Sequence, residues 1–256
     1  MDAATEKAIA KVPAATLIFW IIKVAATTLG ETGGDAVSMS MGMGYLAGTA
    51  IFAVIFLGFV LVQVKAKRFH PALYWLTIIA TTTVGTTLAD FADRSLGIGY
   101  AGGTSILVLL LVASLAVWYK SMGTIAIDSI HSTKAEIFYW TTIMFSQTLG
   151  TALGDWTADT QGFGYIGGAI LFSSLLAVVA VLHFTKKAPA SILFWSAFIL
   201  TRPLGAVVGD FLDKPIADGG LNLSRYTASA VLMGFIALSI WIFPQKAAMK
   251  PRLDKI

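Results

Sequence analysis

The stretch TTLGETGGD, Thr27 to Asp35, sets two carboxylates, Glu31 and Asp35, one helical turn apart at the end of a strongly apolar run. Positions i, i+4 and i+7 or i+8 share a helix face, so Asp35, Glu31, Thr28 and Thr27 form one polar stripe. The pattern recurs downstream as Asp90, Thr86, Thr83, Thr82, and again as Asp155, Thr151, Thr148, Gln147. A fourth stripe departs from it, with Asp210, Ala206, Pro203 and Arg202. Three stripes therefore offer carboxylate and hydroxyl oxygens, and the fourth offers a carboxylate, a kink and a cation. Hard oxygen ligands without any Cys suit Mg, Ca or Mn rather than copper or zinc. An acid held within an apolar run costs roughly 2.5–3.5 kcal/mol unless it faces a polar interior. Several acids close together would repel, so either some are protonated or a cation sits among them. The expected cation- or proton-binding residues are Glu31, Asp35, Asp90, Asp155, Asp210, Thr28, Thr86 and Thr151, with Glu31, Asp35 and Asp155 as metal ligands. Lys23 and Arg202, the two basic residues within apolar runs, are the expected buried counter-ions to Glu31 and Asp210.

A packing role competes with this chemistry. Gly30-x-x-x-Gly34, Gly150-x-x-x-Gly154 and Gly205-x-x-x-Gly209, with Gly85-x-x-x-Ala89, let helices approach closely, and the neighbouring Thr residues then serve as hydrogen-bonding glue. The Asp residues, present in all four copies, also suit helix capping. Glu31 has no counterpart in the other copies, which favours function there. Met39, Met41 and Met43 alternate as Cu(I) ligands would, but the registered positions hold Arg94, Leu96, Ile98 and Asp159, Gln161, Phe163, so the run reads as apolar filler. His70, His131 and His183 fall at helix ends and make no haem pair. Asp93, Asp159, Asp213 and Asp218 read as solvated loop acids, or else as a funnel that concentrates cations.

The elements that must carry these stripes follow from composition. The chain is 256 residues long, 57% hydrophobic and 12% charged, against about 25% charged for soluble domains. A single all-α integral membrane domain over 1–256 is expected, with the lipid bilayer as its surroundings. No cleavable signal is read in the polar start MDAATEKAIAKVPAA, and the net charge of +4 reports topology rather than nucleic-acid binding. Apolar runs long enough to span lie near 14–34, 45–64, 72–91, 100–119, 136–156, 165–184, 190–211 and 226–243. They form four copies of a two-helix unit, over 13–66, 71–121, 133–187 and 189–245. Each has a Trp 15 residues before its Asp: Trp20, Trp75, Trp140 and Trp195. The first three continue into Gly-x-Gly-Tyr ending at Tyr45, Tyr100 and Tyr165. The match of DFADR (90–94) to DFLDK (210–214) groups the units into two halves of four helices. Units of two spans all enter the membrane in the same direction, so the repeats are parallel, related by an axis along the membrane normal. A ring of the odd-numbered helices around that axis is expected. Lys and Arg concentrate in the termini and between-unit loops (Lys7, Lys65, Lys120, Lys186, Lys250, Arg252 and Lys255 among them), which predicts cytoplasmic termini.

These tandem units with a recurring Trp resemble the bacterial membrane proteins defined by a four-fold "repeat of unknown function", over about Pro13 to Pro244. The resemblance implies a fold and no activity. The polar stripes predict a bacterial inner-membrane transporter of a small cation such as Mn²⁺, with proton-coupled export as one form. A carrier of a small organic cation or metabolite, with Trp20 and its copies near the pocket, and a scaffold or sensor are the alternatives. No enzyme is expected, since no nucleophile–base pair or metal-binding His motif appears, and no cofactor. Small-residue faces suggest a homodimer.

Overall fold

A computed structural model describes residues 9–249. Lys7, Lys250, Arg252 and Lys255, counted above with the basic termini, lie outside them. Among the described residues eight long helices form: α1 (Leu17–Asp35), α2 (Tyr45–Lys65), α3 (Pro71–Asp90), α4 (Tyr100–Met122), α5 (Thr133–Asp155), α6 (Gly164–Phe184), α7 (Ala190–Asp213) and α8 (Arg225–Ile242). Two short strands, β1 (Ile9–Pro13) and β2 (Ala247–Met249), pair antiparallel. The starts follow local chemistry: Thr16 and Ser132 cap α1 and α5, and Pro71 opens α3, where its missing N–H costs nothing.

Each of α1, α3 and α5 continues past its Asp into five residues of wider π-helix: Ala36–Ser40, Phe91–Ser95 and Trp156–Thr160. The Gly-x-Gly that follows is required by the backbone, since Gly42, Gly44, Gly97, Gly99, Gly162 and Gly164 all have φ between 63° and 78°. The fourth unit replaces this turn with a 3₁₀ turn, Ile216–Asp218, and a longer loop folded back on the end of α7.

The odd helices α1, α3, α5 and α7 make a closed ring, each touching the next and α7 touching α1. Each even helix packs against the odd helix of the following unit: α2 on α3, α4 on α5, α6 on α7 and α8 back on α1. The even helices are mostly exposed and strongly apolar, as lipid-facing helices are. Six helices are apolar enough to span by length and hydropathy, and the molecule is a multi-pass all-α membrane protein. The two that fall short of that hydropathy, α1 and α5, belong to the inner ring, whose polar residues face one another instead of lipid.

The glycines set the spacing of the ring. A Cβ on Gly30 would collide with Thr82, on Gly85 with the backbone at Gln147, on Gly150 with Arg202, and on Gly205 with Thr27. Each Gly is thus the notch into which the next helix inserts its residue eight before the Asp. One turn further on, Gly209 would place a Cβ 2.6 Å from the Cβ of Glu31, and Gly34 would place one 3.1 Å from Thr86. The repeat is written into the sequence as glycines because four helices meet in this way at one level.

One end of the ring is filled with aromatic residues. Phe19, Tyr74, Trp75, Tyr139, Trp140 and Trp195 are buried together, and the hydroxyls of Tyr74 and Tyr139 are 2.7 Å apart. The β1–β2 pair lies over this plug. Ala10, Val12 and Ala248 join its core, Trp75 Nε1 donates to Gln245 Oε1 (2.9 Å), and Lys11 Nζ pairs with Glu136 at 2.6 Å.

Candidate functional site

From the plug toward the other end, side chains on the inner faces of the four odd helices stack in layers. The first polar layer holds Lys23, which is fully buried. Its Nζ stands 4.2 Å from the centre of the Phe198 ring and has no hydrogen-bond partner among the described residues. Among the described residues it meets no carboxylate.

The next layers hold an ion pair. Arg202 is 0% exposed, and its Nη1 and Nη2 each donate to Oε2 of Glu31 at 3.0 Å. Nη2 also donates to Thr86 Oγ1 at 2.6 Å and to Thr151 Oγ1. Thr86 is fixed in turn by the carbonyls of Gly30 (3.2 Å) and Thr82 (3.2 Å). One buried guanidinium therefore links α7 to α1, α3 and α5 across the axis. Desolvation of such a pair is expensive, and the excellent geometry with extra hydroxyl partners is the condition under which it is tolerated. Thr28 takes no part: its hydroxyl donates to Val24 O of its own helix at 3.0 Å, as Thr83 and Thr148 do to Ile79 and Met144.

One turn outward stands the ring of Asp35, Asp90, Asp155 and Asp210, each at most 3% exposed. Two cations bridge it. Arg94 Nε meets Asp90 at 3.0 Å and its Nη2 meets Asp155 at 3.0 Å. Lys214 Nζ meets Asp210 at 3.1 Å and Asp35 at 2.7 Å. Each cation lies four residues after its own Asp and reaches the Asp of the following unit, with the ring closing from unit four to unit one. The two remaining gaps hold Met39 and Asp159 at the same register. The ring is therefore two-fold in charge although four-fold in backbone. Burial works against the Lys214 ammonium, but Asp210, Asp35 and Asp213 outweigh it and hold its pKa well above the ordinary lysine value. Arg225 completes the rim, with Asp213 at 2.9 Å and Asp35 at 3.6 Å. Asp213 and Asp93, read from sequence as loop acids, are in fact buried.

After these pairs are made, Oδ1 of Asp35 and Oδ1 of Asp155 remain buried without a partner among the described residues. Carboxylate oxygens of Glu31, Asp35 and Asp210 lie within 4.8 Å of one another, a spacing one cation could bridge. Asp155 stands instead against Arg94, so the three acids that converge are not the sequence-derived set of Glu31, Asp35 and Asp155. Above the ring a cavity of about 560 Å³ is lined by Arg94, Asp159, Tyr165, Asp210, Lys214 and Arg225, among others. The aromatic plug closes the opposite end.

Arg94, Lys214 and Arg225 were not among the expected site residues. For the first two the signal was present in DFADR against DFLDK, where a cation follows each Asp by four. Arg225 carries no such register and depends on the fold of the longer fourth loop.

A family model described as Repeat of Unknown Function (DUF347) matches four times in tandem, over residues 18–69, 73–124, 138–188 and 193–247. The chain belongs to that repeat family. No curated protein and no solved structure matches it.

Proposed function

We propose that this member of the repeat family is a transporter of a small cation, with a divalent ion such as Mn²⁺ as the candidate substrate. The observation that carries the reading is the convergence of Glu31, Asp35 and Asp210, buried and within 4.8 Å of one another, beneath an open cavity. Each of these carboxylates is now matched to a tethered cation, Arg202 or Lys214. A bound metal would take the place of those side chains. Swinging Lys214 away from Asp35 and Asp210 exposes two carboxylates, and releasing Arg202 from Glu31 supplies a third. Thr86 and Thr151 add neutral oxygens at the inner edge. Oxygen ligands of this kind favour hard divalent ions. Return of Lys214 and Arg202 would expel the ion, so the built-in cations act as its competitors. The same exchange can be made with protons, which links the reading to proton-coupled export.

We place the protein in a bacterial inner membrane with cytoplasmic termini, on the distribution of Lys and Arg. The aromatic plug and terminal strands then form the inner closure and the Asp ring faces outward. Exchangeable ion pairs stacked beneath the cavity support the transport reading. The test is metal flux in proteoliposomes, scanning Mn²⁺, Ca²⁺, Mg²⁺ and Cu⁺, with Glu31→Gln in parallel. Saturable flux of one hard cation, lost in the variant, is the expected result. A folded protein that moves none of them overturns the reading.

A further inference from the structure

At the end of the bundle that carries the terminal strands, a cavity of about 800 Å³ opens between α1, α6 and α7. That size falls within the range of small-molecule sites. Alanines at 14, 180, 190 and 197 leave the room. Trp20 and Phe194 supply an aromatic wall, with ring centroids 5.6 Å apart. Trp20 departs here from its own repeat copies. Trp75, Trp140 and Trp195 are 1%, 2% and 3% exposed, whereas Trp20 is only half-buried and faces the cavity. Asp128, from the 3₁₀ turn Ile127–Ser129, lines the same space. It is half-buried, and its carboxylate has no ion pair or hydrogen bond among the described residues.

We propose that this cavity binds a small hydrophobic monocation, whose apolar body rests against Trp20 and Phe194 and whose charge is met by Asp128. Two features select that class over a neutral hydrophobe or a lipid chain. An indole face attracts a cation by ~0.5–2 kcal/mol, more as water is excluded. The Asp128 carboxylate at the cavity wall attracts a positively charged occupant and offers nothing to an apolar neutral one. A lipid tail would fill the volume and leave Asp128 as it is. The site lies at the opposite end of the bundle from the Asp ring, so it does not rest on the metal-transport reading.

The experiment is equilibrium dialysis of radiolabelled tetraphenylphosphonium against the full chain in a non-ionic detergent, with the neutral triphenylphosphine oxide as competitor. Saturable binding at one site per chain is expected. Asp128→Asn and Trp20→Leu should each weaken it by on the order of tenfold, and the neutral compound should compete poorly. Ala180→Trp, which fills the cavity from α6, should abolish binding, and Gly58→Leu, which meets open space on α2, should leave it unchanged. Absence of saturable binding overturns the proposal. So does wild-type affinity in Asp128→Asn, or competition by the neutral compound equal to that of the cation, either of which would mean that the cavity simply accommodates lipid.

Discussion

The residue on which the interior turns is Arg202. It is fully buried and bonded to Glu31, Thr86 and Thr151, so removing it strands a buried carboxylate. Arg202→Met should cost ~3–5 kcal/mol of stability, because an unpaired buried charge is worse than no charge. The double variant Arg202→Met with Glu31→Met should recover most of that loss while leaving transport abolished. Thermal unfolding in detergent reads the first effect and liposome flux the second. A double variant as unstable as the single one would mean that Arg202 does not serve to neutralise Glu31. The two threonines of the stripes separate in the same way. Thr86→Val loses bonds to the ion pair and should cost about 1–2 kcal/mol, whereas Thr28→Val loses only a bond to its own helix and should change stability by less than about 0.5 kcal/mol. Lys214 sits outside the helices, and its stabilisation has a defined sign with pH. Its folded pKa is raised, so the contribution is complete below the unfolded lysine value of about 10.4 and is lost only as pH rises through the folded value. Stability measured between pH 6 and 9 should therefore show no titration of the Lys214 ammonium.

At the scale of elements, the helix contacts are set by glycine notches, and the repeat of the notch is what makes four helices meet at one depth. Gly150→Leu would drive its side chain into Arg202 and should destabilise by ~1–3 kcal/mol or more, with loss of the ion-pair geometry. Gly58→Leu on α2 meets open space and serves as the control, with stability within about 0.5 kcal/mol of wild type. Comparison of their unfolding midpoints checks the assignment, and equal loss in both would refute the notch. The π-helical ends of α1, α3 and α5 belong to this scale too. The extra residue per turn carries the chain past the Asp ring before Gly-x-Gly reverses it, which places Met39, Arg94 and Asp159 over the ring at equivalent positions. Nothing in the hydropathy pattern marks a π-turn, but the paired glycines that end it are plain in the sequence.

At the scale of the molecule, the ring closes where α7 meets α1, and α8 covers that joint by packing mainly on α1 rather than on its own unit's helix α7. Thr32 and Ser229 join the two ends, with hydroxyl oxygens 2.9 Å apart. Since the chain contains no Cys, the pair Thr32→Cys with Ser229→Cys should give one clean disulfide on oxidation. Linked peptides from a monomer-sized band would verify closure within one chain, and a dimer-sized band would show that α8 is exchanged between copies. The sequence by itself determined the all-helical membrane class, the four units and the polar faces, and pointed to an odd-helix ring that the helix contacts then show, because lipid demands apolar length and repeated contacts demand repeated residues. Two things were decided by tertiary structure. One is which cation meets which acid: Arg202 reaches Glu31 from 171 residues away, Lys214 bridges Asp35 and Asp210, and Lys23 meets Phe198 rather than a carboxylate. The other is that Trp20, equal to its three copies in the sequence, looks into a cavity while they are buried. Spacing along a chain sets which face a side chain occupies, but pairing across the axis depends on how four helices are seated together, and long flexible cations choose among acids of the same register only once that seating exists.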